Sequence, residues 1–444
     1  MRRRTTAVAA VSIACLSLVS VPFAASAQVV EPPVHHSPAL SADGRWLAFV
    51  STANDLSDAS GVDNLVSNAF LLDLQTGHIE LISRPSTGGA ANGRTTEVDV
   101  SGDGRFVVFA SEATNLLSTD ANGIESDVFV FDTTTDTVTL ASRRGSSGAQ
   151  GNARSWGVSI SDDGLKVAYT SYATNLVAND GNNQPDAFVR DLAAATTTRV
   201  STNANGKEAP AATLKAAISG NGAVVAFQNT AKLVRDDTNG RRDVYVKVLG
   251  SGKTQLASVT NGEKPANLDS TLTDISTNGR LVVFTSIATN LAGTDTNRVA
   301  DAFVRDRSAG TTVRVSRNGS TEANGATYEA VVSPDGGYVA FTTAATNLGA
   351  GTTDANGTSL DIFEYDMSSK DVRRVVYDSS GGWPDGDNFD PMYGDASRIA
   401  FTSWATDLSD TDTDTDADVF TRDFSEDRAA ITTVTHRSVP LGVP

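Results

Sequence analysis

A single cysteine, Cys15, occurs in 444 residues, and it stands inside an apolar N-terminal stretch. Arg2, Arg3 and Arg4 lead into apolar residues 7–21, and Ala25-Ser26-Ala27 precedes Gln28. This order of a basic start, an apolar run and a small-residue end predicts a secretory signal peptide over 1–27, removed after Ala27. The run is interrupted by serines and closed by Pro22, short of the ~20 apolar residues a bilayer span needs, so membrane insertion is not expected. Ser12, not leucine, stands three residues before Cys15, which argues against a lipid anchor. Once Cys15 leaves with the leader, disulfides, thiolate metal sites and cysteine nucleophiles are all excluded.

Histidine is scarce, limited to His35, His36, His78 and His436. Neither a Gly-x-Ser-x-Gly elbow nor a His-Glu-x-x-His pair occurs, which removes the serine-hydrolase and zincin chemistries that depend on them. Helical periodicity of useful length is missing after the leader. Positive charge is also short: 35 Lys and Arg against 53 Asp and Glu give −18, and loss of the three leader arginines takes this to −21. Such a surface repels phosphate backbones and anionic lipid. Nucleic acid is therefore not an expected partner, while proteins, peptides, neutral glycans and cations remain. Solubility alone also accounts for an acidic secreted protein.

What the chain has in abundance is repetition. Phe49, Phe109, Tyr169, Phe227, Phe284, Phe341 and Phe401 each follow a glycine-centred turn, at spacings of 60, 60, 58, 57, 57 and 60 residues. A period this steady means one supersecondary unit stacked seven times. Within a unit, short β-branched and aromatic runs alternate with Gly, Asn, Asp and Ser, the pattern of strands and tight turns. In the second unit the strands fall roughly at residues 97–101, 105–111, 127–132 and 138–142. Four antiparallel strands repeated seven times predict an all-β, seven-bladed β-propeller over 37–438, with a lead at 28–36 and a tail at 439–444. Because the repeats open on a first strand and finish on a fourth, each blade is expected to be contiguous. A monomer is the expected state.

The turns read Ser41-Ala-Asp-Gly44, Ser101-Gly-Asp-Gly104, Ser161-Asp-Asp-Gly164, Ser219-Gly-Asn-Gly222, Ser276-Thr-Asn-Gly279 and Ser333-Pro-Asp-Gly336, while the seventh is Gly394-Asp-Ala-Ser397. Asp-Gly and Asn-Gly supply the positive φ of a tight hairpin. Ser333-Pro-Asp-Gly336 followed by Tyr338-Val-Ala-Phe341 resembles the WD40-like repeat, PD40, of the TolB-like propellers. That resemblance covers nearly the whole chain after the leader. It implies the propeller fold and is nearly silent on activity, because such propellers serve as scaffolds, peptidase gates and lyases.

Acidic loops recur between second and third strands: Asp120, Asn122 and Asp127; Asp180, Asn182 and Asp186; Asp237, Asn239 and Asp243; Asp295, Asn297 and Asp301; Asp354, Asn356 and Asp361. The seventh unit places Asp410, Asp412, Asp414, Asp416 and Asp418 on alternate residues. Alternating oxygen ligands in a tight loop can converge on a hard cation, which makes these residues candidate Ca²⁺ ligands. The same spacing makes Asx-turns with no ion, and both readings stay open. Asn115, Asn175, Asn290 and Asn347, just before the loops, are expected to cap their second strands.

Blade-specific residues concentrate at two first-strand columns. One holds His36, Trp156, Tyr328 and Phe389, and its neighbour holds Glu97, Lys215, Glu329 and Asp390. If the first strand is innermost, these surround one mouth of the central channel, where aromatic faces, charge and hydrogen bonds suit a glycan or a peptide end. Drift at solvent-facing positions explains the same variation. A non-catalytic binding module is the leading reading. The alternative is a propeller-type polysaccharide lyase or hydrolase, with Glu97 or Glu329 as base, Lys215 stabilising charge and His36 near a metal. Trp383, in a segment unique to the seventh repeat, is a candidate lid over the mouth. Arg190, Arg305 and Arg422, each followed by aspartate, read as solvated strand-face ion pairs of little energetic weight.

Overall fold

The computed structural model describes residues 35–433 except 54–55, 57–65, 147, 350–353, 396, 410–415 and 425–430. The predicted signal peptide, most of the lead and the tail lie outside the described residues, as do Asp410, Asp412 and Asp414.

Seven four-stranded antiparallel sheets follow one another, each with its strands in chain order. Their first strands are His35–Leu40, Thr95–Val100, Ser155–Ile160, Thr213–Ile218, Ser270–Ile275, Thr327–Val332 and Asn388–Tyr393. The second blade continues with Phe106–Ser111, Asp127–Asp132 and Thr137–Leu140, within two residues of the sequence-based bounds. A two-stranded ribbon, Arg317–Asn318 with Thr321–Glu322, is added between the fifth and sixth blades. Among the described residues no strand is exchanged between the chain ends: Ile431–Thr433 pairs with Asp418–Asp423 of its own blade. The ring closes by packing instead, through an apolar cluster in which Ala400 and Val419 of the seventh blade meet Leu47, Phe49 and Phe70 of the first. Arg398 adds a hydrogen bond from Nη1 to the Gly44 carbonyl at 2.6 Å.

Each repeated aromatic is fully buried and stacks on an aromatic of its own third strand, as Phe109 does on Phe129 at 5.6 Å and Phe401 on Phe420 at 5.7 Å. Such pairs add ~0.5–1.5 kcal/mol beyond their burial. The serine turn works as a unit. Ser101 Oγ donates to Asp103 Oδ1 at 2.8 Å and accepts from the Phe106 amide at 2.9 Å, while the Arg105 amide donates to Asp103. Gly104 has φ +75°, and a Cβ there would lie 2.1 Å from Trp46 of the preceding blade. Gly164 stands in the same relation to Phe106. Glycine is thus required both by the turn and by the close approach of the neighbouring blade.

Two expectations are corrected. Asn115 does not cap its strand. Its Oδ1 accepts from the Asn92 amide and its Nδ2 donates to the Ala90 carbonyl, tying down the connection from the previous blade; Asn175, Asn290 and Asn347 repeat this. Arg190 and Arg305 are buried, not solvated, because their strands turn this column toward the preceding blade. Arg190 Nη1 donates to the Gly145 carbonyl at 2.8 Å, and Arg305 pairs with Glu263. Arg422 lies over the rings of Tyr377 and Phe424.

Candidate functional site

All seven first strands pair irregularly with their second strands, through a bulge that bends the backbone at the channel. Ser37, Gly157 and Asp390 take positive φ there, at 54°, 67° and 52°. The bulges turn backbone amides away from their own sheets, and each exposed amide needs an acceptor.

Side chains of the preceding blade supply the acceptors. Glu97 Oε2 accepts from the amides of Gly157 at 2.6 Å and Val158 at 3.3 Å. Asp99 Oδ2 accepts from Ile160 at 2.8 Å, Asp274 Oδ2 from Val332 at 2.9 Å, and Glu329 Oε2 from Asp390 at 3.1 Å. The Asp390 carboxyl in turn receives the Ser37 amide, closing the series onto the first blade.

These groups line a cavity of about 380 Å³ at one end of the channel. Glu97, Trp156, Lys215, Glu329 and Asp390, all named from the sequence, come together in its wall. His36, Tyr328 and Phe389 are not part of that wall. His36 is bonded through Nδ1 to Ser37 Oγ at 2.9 Å, and burial together with Arg94 lowers its pKa. Tyr328 is half exposed beside the opening. Trp383 does not cover the mouth: it packs on Phe363 and under the Arg374 guanidinium.

The sequence reading missed Asp99, Asp274 and Thr273. A second cavity of about 130 Å³ continues the channel, and Asp99, Ser159 and Asp274 line both, so they mark its throat. Asp99 and Asp274 occupy the column two residues before Ser101 and Ser276, which is otherwise Ala39, Ser159, Ala217, Val331 and Met392. Two acids in an uncharged column are the signal that could have found them. In the fifth blade the bulge falls at Thr273, not at Thr271, so Leu272 turns into the core and pairs with Phe284.

The cavity wall thus holds Glu97, Asp99, Asp274, Glu329 and Asp390 against one cation, Lys215. Burial pushes Asp99 up to about 7, opposed by its two amide bonds and helped by Asp274. Burial raises Asp274 to about 6 and Asp390 to about 7, the latter assisted by the Glu329 carboxyl, while Lys215 pulls both down.

Among the described residues, five of the seven exposed large apolar side chains gather at the same end, the others being Ile124 and Leu165. Tyr172, Ile287 and Trp404 follow second strands that pair with first-strand starts, and Leu214 and Tyr328 lie on the first strands themselves. Trp156 and Tyr172 touch at 5.4 Å, with Arg154 over the Trp156 ring.

The acidic loops contain the expected Asx-turns. Asp120, Asp295 and Asp354 each accept two backbone amides within three residues. In the third blade Asp180, Asp186 and Glu208 bring carboxylate oxygens within 4.8 Å of one another, with Arg199 among them.

No family model matches the chain, and no curated protein matches it. Solved structures do. The β-propeller domain of the Trilobed protease from Pyrococcus furiosus, described as having an open velcro topology, superposes with a TM-score of 0.53 at 11% identity, over 92% of this chain and 99% of that one. A prolyl endopeptidase gives 0.57 at 12% identity over 91% of this chain, which spans half of that protein. A putative TolB from Agrobacterium tumefaciens gives 0.41 at 18% identity, over 70% and 88% of the two chains. The chain is a seven-bladed β-propeller. TolB propellers and peptidase propellers are both among its structural neighbours, and at these identities the likeness extends to fold alone.

Proposed function

We propose that this protein is a secreted, non-catalytic binding module of the TolB-like, PD40 kind, which takes the end of a peptide or glycan chain at the channel mouth. The observation that carries the reading is the coincidence, at one end of the channel, of an exposed aromatic and aliphatic rim with a carboxylate-lined cavity. Flat apolar faces at Trp156, Tyr172, Tyr328 and Trp404 suit stacking on a sugar ring or an apolar side chain. Five carboxyls against one ammonium favour, of the two classes, a peptide whose amino terminus or basic side chain enters the cavity.

A lyase or hydrolase reading is less well supported. Glu97 and Glu329 each commit an oxygen to the backbone of the next blade, and His36 stands outside the cavity wall. A general base needs a free lone pair aimed at substrate.

The test is to probe peptide and glycan arrays with residues 28–444, and again with Trp156→Ala and Tyr328→Ala combined. Capture of members of one class, lost in the double variant, supports the proposal. Capture unchanged in the variant, or none from either array, contradicts it.

A further inference from the structure

We infer that Asp354, Asn356 and Asp361, at the start of the third strand of the sixth blade and just before it, form a divalent-cation site of the Ca²⁺ type. It is independent of the channel mouth and differs from its counterparts in the second to fifth blades.

The second blade provides the internal comparison, because its loop has the same spacing and the same turn. The Asn122 and Gly123 amides both donate to Asp120 Oδ1 at 3.1 Å, as the Asn356 and Gly357 amides do to Asp354 Oδ1. Gly123 and Gly357 have φ of 73° and 77°. In the second blade Gln150 Nε2 lies 2.9 Å from Asp120 Oδ1, 2.7 Å from Asn122 Oδ1 and 2.5 Å from Asp127 Oδ2. This fold therefore aims three loop oxygens at one point, and there the chain fills that point with an amide nitrogen.

The third, fourth and fifth blades bring donors of their own to the loop, and leave at most one buried loop oxygen unpartnered, Asp180 Oδ1 in the third and Asp243 Oδ2 in the fourth, against three in the sixth. Arg199 enters the third-blade cluster, and Arg314 reaches Asp301 and Glu322 in the fifth. In the fourth, the Tyr245 hydroxyl donates to Asp237. A serine donates to the third-strand aspartate in each of these four blades: Ser142, Ser201, Ser258 and Ser316, at 2.5–2.7 Å.

The sixth blade has lost all of these donors. Trp383 stands where Gln150 does, since Pro384 and Gly151 are the equivalent carbonyl acceptors for Asn356 and Asn122. Val376 replaces the serine. Arg374 occupies the strand position of Arg199 and Arg314, yet its guanidinium is held over the rings of Tyr377 at 4.1 Å and Trp383 at 4.0 Å. As a result Asp354 Oδ2, Asn356 Oδ1 and Asp361 Oδ2 are buried and no described donor reaches any of them, although Asp361 is only 1% exposed.

Orphaned buried oxygens cost free energy unless a partner is bound, and two carboxylates beside an amide oxygen match the hard-ligand set of Ca²⁺. Burial and the neighbouring Asp354 push Asp361 up to about 7, opposed by the Asn356 amide and by the charge of Arg374. Three side-chain ligands place the affinity in the range of extracellular modules, roughly 10⁻⁴–10⁻³ M.

Trp383 also provides the readout. Tb³⁺ added to residues 28–444 should give tryptophan-sensitised emission that Ca²⁺ displaces, and millimolar Ca²⁺ should raise Tm. Both effects should be lost in Asp361→Asn and in Asp354→Asn, the second of which alters a less buried residue and guards against misfolding. Trp383→Phe should lose the emission and keep the Ca²⁺-dependent rise in Tm. Emission and a Tm shift that persist in both aspartate variants, or that vanish only when Asp412 and Asp414 become Asn, would overturn the assignment. So would the lack of either effect in the unaltered protein.

Discussion

The Glu97 carboxylate accepts the Gly157 amide at 2.6 Å across sixty residues of sequence, joining the second blade to the third at the channel wall. It holds a bulge whose amide has no acceptor within its own sheet. Glu97→Ala leaves that amide without its acceptor and should cost ~1–3 kcal/mol in chemical denaturation, the penalty for a buried unpaired amide. Glu97→Gln keeps an acceptor oxygen and should lose less. Equal stability of all three proteins would show that water serves the bulge as well.

Gly104→Ala and Gly123→Ala separate backbone strain from interblade packing. Both glycines have positive φ, but only at Gly104 does a Cβ meet another blade, 2.1 Å from Trp46. The Gly123 change should cost ~1–2 kcal/mol. The Gly104 change adds an overpacking penalty of ~1–3 kcal/mol, and the paired variant Gly104→Ala with Trp46→Ala should recover part of it. Denaturation midpoints of the three variants check this ordering.

Stability should fall as pH rises from about 5 to 8. Asp99, Asp361 and Asp390 are raised to about 7, and Asp127, Asp186, Asp243 and Asp274 to about 6, chiefly by burial. An acid whose folded pKa lies above its unfolded value favours folding below the unfolded pKa and loses that contribution as pH climbs through the folded one. Asp132 and Asp306, lowered by hydrogen bonds from Arg105 and Arg280, act oppositely and lose their contribution in stronger acid. Tm measured in chelator should therefore peak on the acid side of neutrality, and Asp99→Asn should flatten the decline. A Tm that rises steadily to pH 8 would contradict the burial of these groups.

Arg199 lies among Asp180, Asp186 and Glu208 and does for the third blade what a cation would do. Arg199→Ala should cost ~3–5 kcal/mol by stranding buried carboxylates. Millimolar Ca²⁺ should restore part of that loss, a gain absent from the same blade in the parent. Tm in Ca²⁺ and in chelator, for parent and variant, measures it.

The architecture was legible because it is written locally and seven times over. The serine-glycine turns and the buried aromatics lie within one strand pair, so spacing alone located Phe49 to Phe401 and the blade count. Interblade relations were not legible. Glu97 meets its amides a full repeat later, and Arg190 is buried by the blade before it, so neither role follows from neighbours in sequence. Bulge position depends on which side chain the core accepts, which is how Leu272 went inward and Thr273 reached the channel. Trp383 was misplaced for the same kind of reason: its partners, Phe363 and Arg374, belong to the preceding sheet.

Binding at the channel mouth is tested most directly by hydroxyl-radical footprinting of residues 28–444 with and without an array-selected ligand. A ligand at the mouth should protect Trp156, Tyr172, Tyr328 and Trp404 together and leave the outer strands Thr137–Leu140 and Thr196–Arg199 unchanged. Protection confined to the outer strands, with those four aromatics as reactive as in the free protein, would contradict a channel-mouth site and point to an outer-face contact.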